Sequence, residues 1–96
     1  MPRPKNLRRI RFDPEITYFK PRGVPMSSLQ EVEIGLDELE ALRLKYKEEK
    51  NNEESAKEMK ISSSTFQRLT STALKKITDG LINGKAIKIH KPNINS

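Results

Sequence analysis

The sequence lacks cysteine and tryptophan, and it has one histidine and five aromatic residues among its 96 positions. Without cysteine there can be no disulfide, no thiolate nucleophile and no zinc finger with cysteine ligands. No apolar run approaches the roughly 20 residues that cross a bilayer, and no apolar signal-peptide core follows the N-terminus. We therefore expect a cytoplasmic protein that makes no membrane contact.

The sequence also lacks any group of side chains spaced for catalysis. His90 stands alone in the sequence, so we assign it no metal. The carboxylates around the predicted first helix are too widely spaced for a general acid and base pair, and nothing near them would shift a pKa. We interpret them as a helix cap, a dipole partner and solvated surface: Glu38, Glu40, Glu48 and Glu49. The sequence predicts neither enzymatic activity nor a cofactor.

The net charge of +6 is unevenly distributed along the chain. Residues 1–25 hold seven basic and two acidic side chains (+5), residues 26–61 hold six and ten (−4), and residues 62–96 hold six and one (+5). A segregated field of this kind attracts a polyanion to one side of a protein. The alternative is a solubility balance with chance clustering. We favour nucleic acid, because the basic segments flank the helical motif described below.

The N-terminal segment, residues 1–28, predicts a basic arm and a proline-rich loop. Prolines near the N-terminus disfavour helix, and basic arms commonly enter a minor groove or follow phosphates. The alternative is a disordered tail that attracts DNA nonspecifically. Alternating residues predict a short strand over 8–12, and Tyr18 and Phe19 are expected to anchor the following loop to the core. The candidate phosphate contacts in this part are Arg3, Lys5, Arg8, Arg9, Lys20 and Arg22.

Residues 31–49 predict a strand followed by a helix. Val32, Ile34 and Leu36 alternate inward over residues 31–36. Asp37 is the predicted N-cap of a helix over residues 38–49, and Glu40 completes an acidic variant of the capping box. The predicted buried stripe of this helix consists of Leu39, Leu42 and Tyr46.

Residues 52–77 predict two helices separated by a short turn. Asn52 caps a helix from residue 53 to 59 or 60, Lys60 and Ile61 form the turn, and Ser62 caps the second helix. A positive φ is common in such a turn, where glycine is the usual residue. The apolar spacing fits two helices that cross steeply, with Ala56 as the small residue at the crossing. The other core residues are Met59, Ile61, Phe66, Leu69, Ala73 and Ile77.

The face left exposed on the second helix suits a DNA major groove. Its candidate base or groove contacts are Ser63, Ser64, Gln67, Arg68 and Ser71, and its candidate phosphate contacts are Ser62, Thr65, Lys75 and Lys76. Hydroxyls and free amides at a helix N-terminus bind phosphate oxygens. Gln67 can pair with adenine. Arg68 can pair with guanine or neutralise a phosphate, and we favour the phosphate.

The C-terminal part predicts a helix end and one strand. The second helix is expected to run to residue 81 or 82 and to stop at Asn83 and Gly84, with fraying after Asp79 because Gly80 is a poor helix former. Residues 85–90 alternate as a strand. Its partner is residues 8–12, residues 31–34 or the same strand of a second copy. Residues 91–96 are expected to be loose.

Residues 36–77, with L-D-E-L-E-A-L-R-L, I-S-S-S-T-F-Q-R and A-L-K-K-I, resemble the region-4 helix-turn-helix of sigma factors. The blocks P-R-P-K, Y-F-K-P-R-G-V-P and N-G-K-A-I-K-I resemble a small prokaryotic family of uncharacterised predicted DNA-binding proteins. This resemblance implies a helix-turn-helix domain and a transcriptional role. Some members carry N-terminal cysteines or an added domain similar to iron-molybdenum cofactor proteins. Leu7 and Arg11 occupy that cysteine region here, so no metal or cofactor function transfers.

We therefore predict a mainly α fold, namely a three-helix, sigma region-4-like helix-turn-helix domain with short β-strands from the N- and C-terminal segments. Residues 1–35 form the arm, strand and loop, residues 36–83 the DNA-binding domain, and residues 84–96 the terminal strand and tail. The predicted partner is double-stranded DNA, bound by a monomer or a homodimer with paired half-sites. The alternatives are a protein-interaction module that contacts RNA polymerase through the acidic surface of residues 37–58, and an RNA-binding protein.

Overall fold

The computed structural model describes residues 9–91, which form three helices and a small three-stranded sheet. The fold is therefore mixed α/β and mostly helical, and the predicted presence of short strands towards both ends is confirmed. No helix in this part of the chain combines the length and hydropathy needed to span a bilayer. In chain order the elements are β1 (Tyr18–Phe19), β2 (Glu31–Gly35), α1 (Leu36–Leu42), α2 (Asn52–Met59), α3 (Ser63–Asn83) and β3 (Ala86–His90).

The C-terminal strand β3 lies in the centre of the sheet. It pairs in parallel with β2, where Ile34 is opposite Ile89, and antiparallel with β1, where Tyr18 is opposite Lys88. Of the three predicted partners for this strand, residues 31–34 are correct. The sequence does not predict β1, because a strand of two residues carries no alternating pattern and forms only where β3 offers it a free edge.

The predicted strand over residues 8–12 is wrong for the described residues 9–12, which form no ladder. Two of their backbone amides donate to α2 and α1 and not to a neighbouring strand. The Arg9 amide donates to the Met59 carbonyl at 3.1 Å, and the Arg11 amide donates to Glu40 Oε2 at 3.2 Å. Residue 8 lies outside the described residues, as do residues 92–96 of the predicted loose tail.

Helix α1 begins two residues earlier than predicted, so the predicted Asp37 cap is wrong. Gly35 is the N-cap, and its amide donates to Glu38 Oε1 at 2.9 Å. The α-helical part ends at Leu42. One wider π-helical turn, Arg43–Lys47, follows and is closed by the Glu48 amide donating to the Arg43 carbonyl at 2.9 Å.

The main core joins α1, α2 and α3 through Ala41, Leu44, Ala56, Met59 and Phe66, with Ile61 and Leu69 packed against them. The predicted α1 stripe is wrong. Leu39 and Leu42 are only half-buried and Tyr46 is 54 % exposed, whereas Glu38 and Glu40 are buried. The prediction counted apolar residues only, and it missed two carboxylates that find partners inside the fold.

Helix α3 runs unbroken to Asn83 and ends at Gly84, whose φ is 67°. This is the left-handed conformation that glycine adopts readily. The predicted stop is confirmed, and the predicted fraying after Asp79 is wrong. Gly80 is buried against the sheet, where a Cβ atom would lie 3.1 Å from Ile87 Cγ1 and 3.4 Å from Val32 Cγ2. Its missing side chain therefore lets the sheet approach the C-terminal half of α3.

Candidate nucleic-acid interface

A tight turn over residues 60–62 joins α2 to α3. Lys60 adopts the left-handed conformation with φ 60° and ψ 46°, and its amide donates to the Lys57 carbonyl at 3.1 Å. The Ile61 amide then donates to the Ala56 carbonyl at 3.0 Å. These bonds close the end of α2 and reverse the chain within a short turn. The predicted turn at Lys60 and Ile61 is confirmed, and its positive φ falls on Lys60.

The two helices that flank this turn have side-chain N-caps. Asn51 Oδ1 accepts from the Glu54 amide at 2.7 Å, so the predicted cap at Asn52 is wrong by one position. Ser62 caps α3 as predicted, because its Oγ accepts from the Thr65 amide at 3.1 Å. The same Oγ contacts Thr65 Oγ1 at 2.9 Å. The Ser62 and Thr65 hydroxyls therefore bond to each other, and they have less hydrogen-bonding capacity left for a phosphate than predicted.

The outward face of α3 is polar along its first half. Ser64, Gln67, Arg68 and Ser71 are exposed and follow the spacing of one helical face, while Ser63 is half-buried. Phe66, Thr70 and Ala73 are buried on the opposite side. The core thus fixes the rotation of α3 and directs its short polar side chains to solvent, as their predicted role requires. That role itself stays a prediction.

The predicted cationic phosphate contacts differ in their surroundings. Arg68 and Lys75 are exposed, and neither forms an ion pair with any residue from 9 to 91. Lys76 instead contacts both carboxylate oxygens of Glu38, at 3.0 and 3.1 Å, so its charge is directed at α1. A phosphate contact by Lys76 stays a prediction and would have to compete with this pair. Three predicted contacts lie outside the described residues: Arg3, Lys5 and Arg8.

Lys20 and Arg22 are exposed on the segment that follows the first strand of the sheet. They follow β1, which lies at the edge of the sheet beyond β3. The sheet packs against α3 at Gly80. At 1.5 Å per residue, Gly80 lies about 25 Å along the helix from Ser63. The role of Lys20 and Arg22 as phosphate contacts stays a prediction. Arg9 lies closer to the α2–α3 turn, because its amide is bonded to Met59.

The buried Glu40 side chain forms an ion pair with Arg43, three residues further along the same helical stretch, and the sequence pattern does not predict this pair. Arg43 Nε and Nη2 contact the two Glu40 oxygens at 2.8 and 2.9 Å, and Arg43 Nη1 contacts Glu48 at 3.1 Å. Burial alone would raise the pKa of Glu40. Hydrogen bonds from Arg43 and from the Arg11 backbone lower it by more than burial raises it, so the pKa of Glu40 lies below its usual value. Glu40 is therefore ionised at neutral pH and serves as a structural anchor.

Beyond Ser71 the exposed surface of α3 includes large aliphatic side chains among its polar ones. Leu74 is 41 % exposed, Leu81 72 % and Ile82 76 %. The sequence predicts a helix over this stretch, but its pattern does not predict that these aliphatic side chains lie at the surface. With the sheet covering the opposite side at Gly80, this second half of α3 presents aliphatic side chains to solvent.

The comparisons with known proteins place the chain in a family. The family model described as "Protein of unknown function DUF134" matches residues 1–95. The chain belongs to the DUF134 family. The predicted membership of an uncharacterised prokaryotic family is thereby confirmed, whereas the DNA-binding role expected of such members stays a prediction. No solved structure matches the chain.

Similar DUF134 relatives carry the name UPF0251 protein. Those of Caldanaerobacter subterraneus subsp. tengcongensis and Thermoanaerobacter pseudethanolicus are each 50 % identical over 93 residues, which cover 97 % of this chain and 79 % of the relative. That of Moorella thermoacetica is 48 % identical over 89 residues, covering 93 % of this chain and 60 % of the relative.

Proposed function

We propose that this protein binds double-stranded DNA sequence-specifically and regulates transcription. In this proposal α2, the turn at residues 60–62 and α3 act as a sigma region-4-like helix-turn-helix, and α3 enters the major groove. The observation that carries the proposal is the exposed polar first half of α3, with Ser64, Gln67 and Ser71 facing solvent while Phe66 and Ala73 are buried.

The dimensions of this face are compatible with a groove. Residues 64–71 cover seven helical steps, or about 10 Å at roughly 1.5 Å per residue. The major groove of B-DNA is roughly 12 Å wide, and it accepts a helix whose backbone can approach the bases. Serine side chains at Ser64 and Ser71 are short enough to permit that approach. Gln67 lies between them and has the amide that pairs with adenine.

The charges near α3 favour a polyanion. Arg68 and Lys75 are exposed beside the polar face and have no acidic partner among residues 9–91. Several carboxylates of the acidic middle segment are engaged with cations of the same chain, as in Glu38 with Lys76 and Glu40 with Arg43. This internal pairing reduces the repulsion that the acidic segment would exert on phosphates.

The test begins with selection of bound fragments from a random duplex pool, followed by fluorescence anisotropy on the selected site. The double variant Gln67→Ala/Arg68→Ala should lose at least about tenfold in affinity, because one bidentate base contact is worth roughly 1–3 kcal/mol. Loss of one phosphate contact at Arg68 should also reduce the slope of log K against log salt by about 0.9.

The matched control is Gln30→Ala/Lys88→Ala, which removes one glutamine and one cation from exposed positions near and on the sheet. We expect this control to retain the wild-type affinity within about threefold, because surface charge far from the interface acts only through the screened field. If both double variants bind like the wild type, α3 is not the recognition helix. A structured RNA competitor that displaces the duplex at equal concentration would favour RNA binding instead.

A protein-interaction role is the second candidate, and the apolar second half of α3 favours it. Leu81 and Ile82 are the most exposed aliphatic side chains of this helix. Clustered exposed aliphatic side chains commonly mark a protein contact. RNA polymerase is the partner that we consider for this surface. The variant Leu81→Ser/Ile82→Ser separates the two roles, since it should leave duplex affinity unchanged and abolish any polymerase binding measured by co-sedimentation. Retained polymerase binding in this variant would exclude the patch as its docking surface.

A further inference from the structure

Basic side chains gather at the turn between α2 and α3. Lys57 lies in the last turn of α2, and Lys60 directly follows the end of that helix. The Arg9 amide donates to the Met59 carbonyl at 3.1 Å, and the Arg9 and Lys57 side chains line the same cleft. All three basic side chains are exposed, and none of them forms an ion pair with any residue from 9 to 91.

The acidic side chains of α2 do not neutralise these cations. Glu53 and Glu54 lie in the first turn of α2, where they face the positive end of the helix dipole. Glu54 and Lys57 line the same cleft but form no ion pair with each other. Glu58 is paired with Lys50. Unpaired acidic residues therefore occupy the start of α2, and unpaired cations occupy its end, next to α3.

We propose that Lys57 and Lys60 bind backbone phosphates at the edge of the groove that α3 enters, so that the α2–α3 turn sets how α3 sits on the duplex. This inference rests on the proposed DNA-binding function and extends it to two residues that the sequence pattern does not indicate. Phosphate contacts fix the register and orientation of a protein on DNA, and they carry no sequence information.

The turn lies where a strand of the duplex would pass. A helix with its side chains is roughly 10–12 Å across, so α3 would fill a major groove about 12 Å wide. The residues that lead into α3 would then lie at the groove edge, beside the phosphates. Lys57 lines a second cleft together with Ser62 and Ser63, the N-cap and the first residue of α3. Its side chain is therefore next to the start of the helix that would read the bases.

The backbone fixes Lys60 at the corner of the turn. Its φ of 60° is left-handed, and its amide donates to the Lys57 carbonyl at 3.1 Å. The next amide, that of Ile61, donates to the Ala56 carbonyl at 3.0 Å. A lysine carries a compact charge on a flexible stem, which suits a phosphate contact that needs no fixed geometry. The fold thus holds the backbone of both lysines in place and leaves their charged ends in solvent.

The variant Lys57→Gln/Lys60→Gln tests the proposal, because it removes both charges and keeps side chains of similar helix propensity. Fluorescence anisotropy on the site selected by the wild type should show a slope of log K against log salt that is smaller by about 1.8, or roughly 0.9 for each lost contact. Affinity at about 0.1 M salt should fall roughly tenfold or more. The base preferences selected from a random duplex pool should stay the same.

Two control variants distinguish a phosphate contact from a general loss of charge. Lys57→Arg/Lys60→Arg keeps both charges and should keep the wild-type slope. Lys85→Gln/Lys88→Gln removes two charges near the far end of α3, where the Lys85 amide donates to the Gly80 carbonyl. That end lies about 25 Å along the helix from its start, which exceeds the Debye length of about 10 Å at 0.1 M salt. This variant should change the slope by less than about 0.5, and all variants should share the wild-type urea midpoint.

Ethylation interference locates the contacted phosphates. Ethylating a phosphate removes its charge, so modification at a contacted position should block binding of the wild type. In Lys57→Gln/Lys60→Gln the interference should disappear at one or two phosphates at one edge of the site and persist at the others, because each lysine contacts only its nearest phosphate.

Three results would overturn the inference while the proposed function stands. These are an unchanged salt slope in Lys57→Gln/Lys60→Gln, an interference pattern identical to that of the wild type, and altered base preferences, which would show that the lysines read bases. If the wild-type chain binds no duplex DNA, the proposed function fails and this inference fails with it.

Discussion

Replacing Glu40 by glutamine tests the buried ion pair of α1 without changing side-chain volume. The substitution removes the charge that Arg43 contacts at 2.8 and 2.9 Å, in a side chain that is 2 % exposed. Breaking a buried pair typically costs roughly 3–5 kcal/mol. Arg43 keeps its contact with Glu48 at 3.1 Å and is 22 % exposed. We therefore expect the lower end of that range, about 3 kcal/mol.

This cost is large relative to the stability of a small domain, which is typically about 5–15 kcal/mol. At roughly 4–8 °C per kcal/mol, Glu40→Gln should lower Tm by about 12–24 °C. Urea unfolding at pH 7, followed by circular dichroism, measures the free energy directly. The matched control is Glu48→Gln, which removes the more exposed partner of the same arginine. That control should cost less than about 1 kcal/mol.

A double-mutant cycle that combines Glu40→Gln with Arg43→Met then isolates the interaction energy between these two side chains. We expect a coupling energy of at least about 1 kcal/mol between Glu40 and Arg43, because the methionine removes the charge whose buried partner the glutamine has replaced. A Glu40→Gln variant no less stable than Glu48→Gln would refute the reasoning. So would additive effects of the two substitutions in the cycle.

Three further predictions concern local features of the fold. Lys60→Gly should stabilise the protein by about 0.5 kcal/mol in urea unfolding, because the left-handed conformation costs a lysine roughly 1–2 kcal/mol and the added glycine entropy offsets part of the gain; a destabilised variant would contradict this. Ser62→Ala should cost about 1 kcal/mol through the lost N-cap, whereas Ser64→Ala should change stability by less than about 0.5 kcal/mol. The pKa of Glu40 is lowered by folding. Its stabilisation is therefore present above its unfolded pKa of about 4.3 and is lost as pH falls through the lower folded value. The difference in urea midpoint between wild type and Glu40→Gln should shrink below about pH 4, and a constant difference down to pH 2 would contradict it.

Residues that are neighbours in the chain are enough to predict where α3 begins and ends and where the turn before it lies. Ser62 and Gly84 mark the ends of α3 through their own side-chain or backbone properties, and both are predictable from the residues beside them. The turn at Lys60 is predictable in the same way, from the short gap between two helical patterns. Each of these features depends on contacts between near neighbours in the chain.

Features that depend on distant partners are not predictable from those patterns. The residues around Glu38 indicate that its side chain lies on the solvated surface. In the structure this side chain pairs with Lys76, 38 residues away. Glu40 is buried because Arg11 and Arg43 satisfy it together, and Arg11 approaches from a segment whose pattern indicates a strand. Hydropathy alone cannot identify a buried carboxylate, because its stability inside the protein depends on which donors the fold brings to it.

The packing of Gly80 shows the same limit. Its helix propensity favours fraying, since glycine costs about 1 kcal/mol relative to alanine in a helix. The structure instead places Val32 and Ile87 against it, and this close approach keeps the last turn of α3 in place. Tertiary contact outweighs a local preference that is itself correct.

The central claim is that the polar first half of α3 reads bases in a DNA groove. The most direct measurement compares the sequences selected from a random duplex pool by the wild type and by Gln67→Ala. We predict that the wild type enriches a defined site and that the variant loses base preference at one or two adjacent positions while keeping the rest. Identical preferences at every position, or no enriched site for the wild type, would contradict the claim.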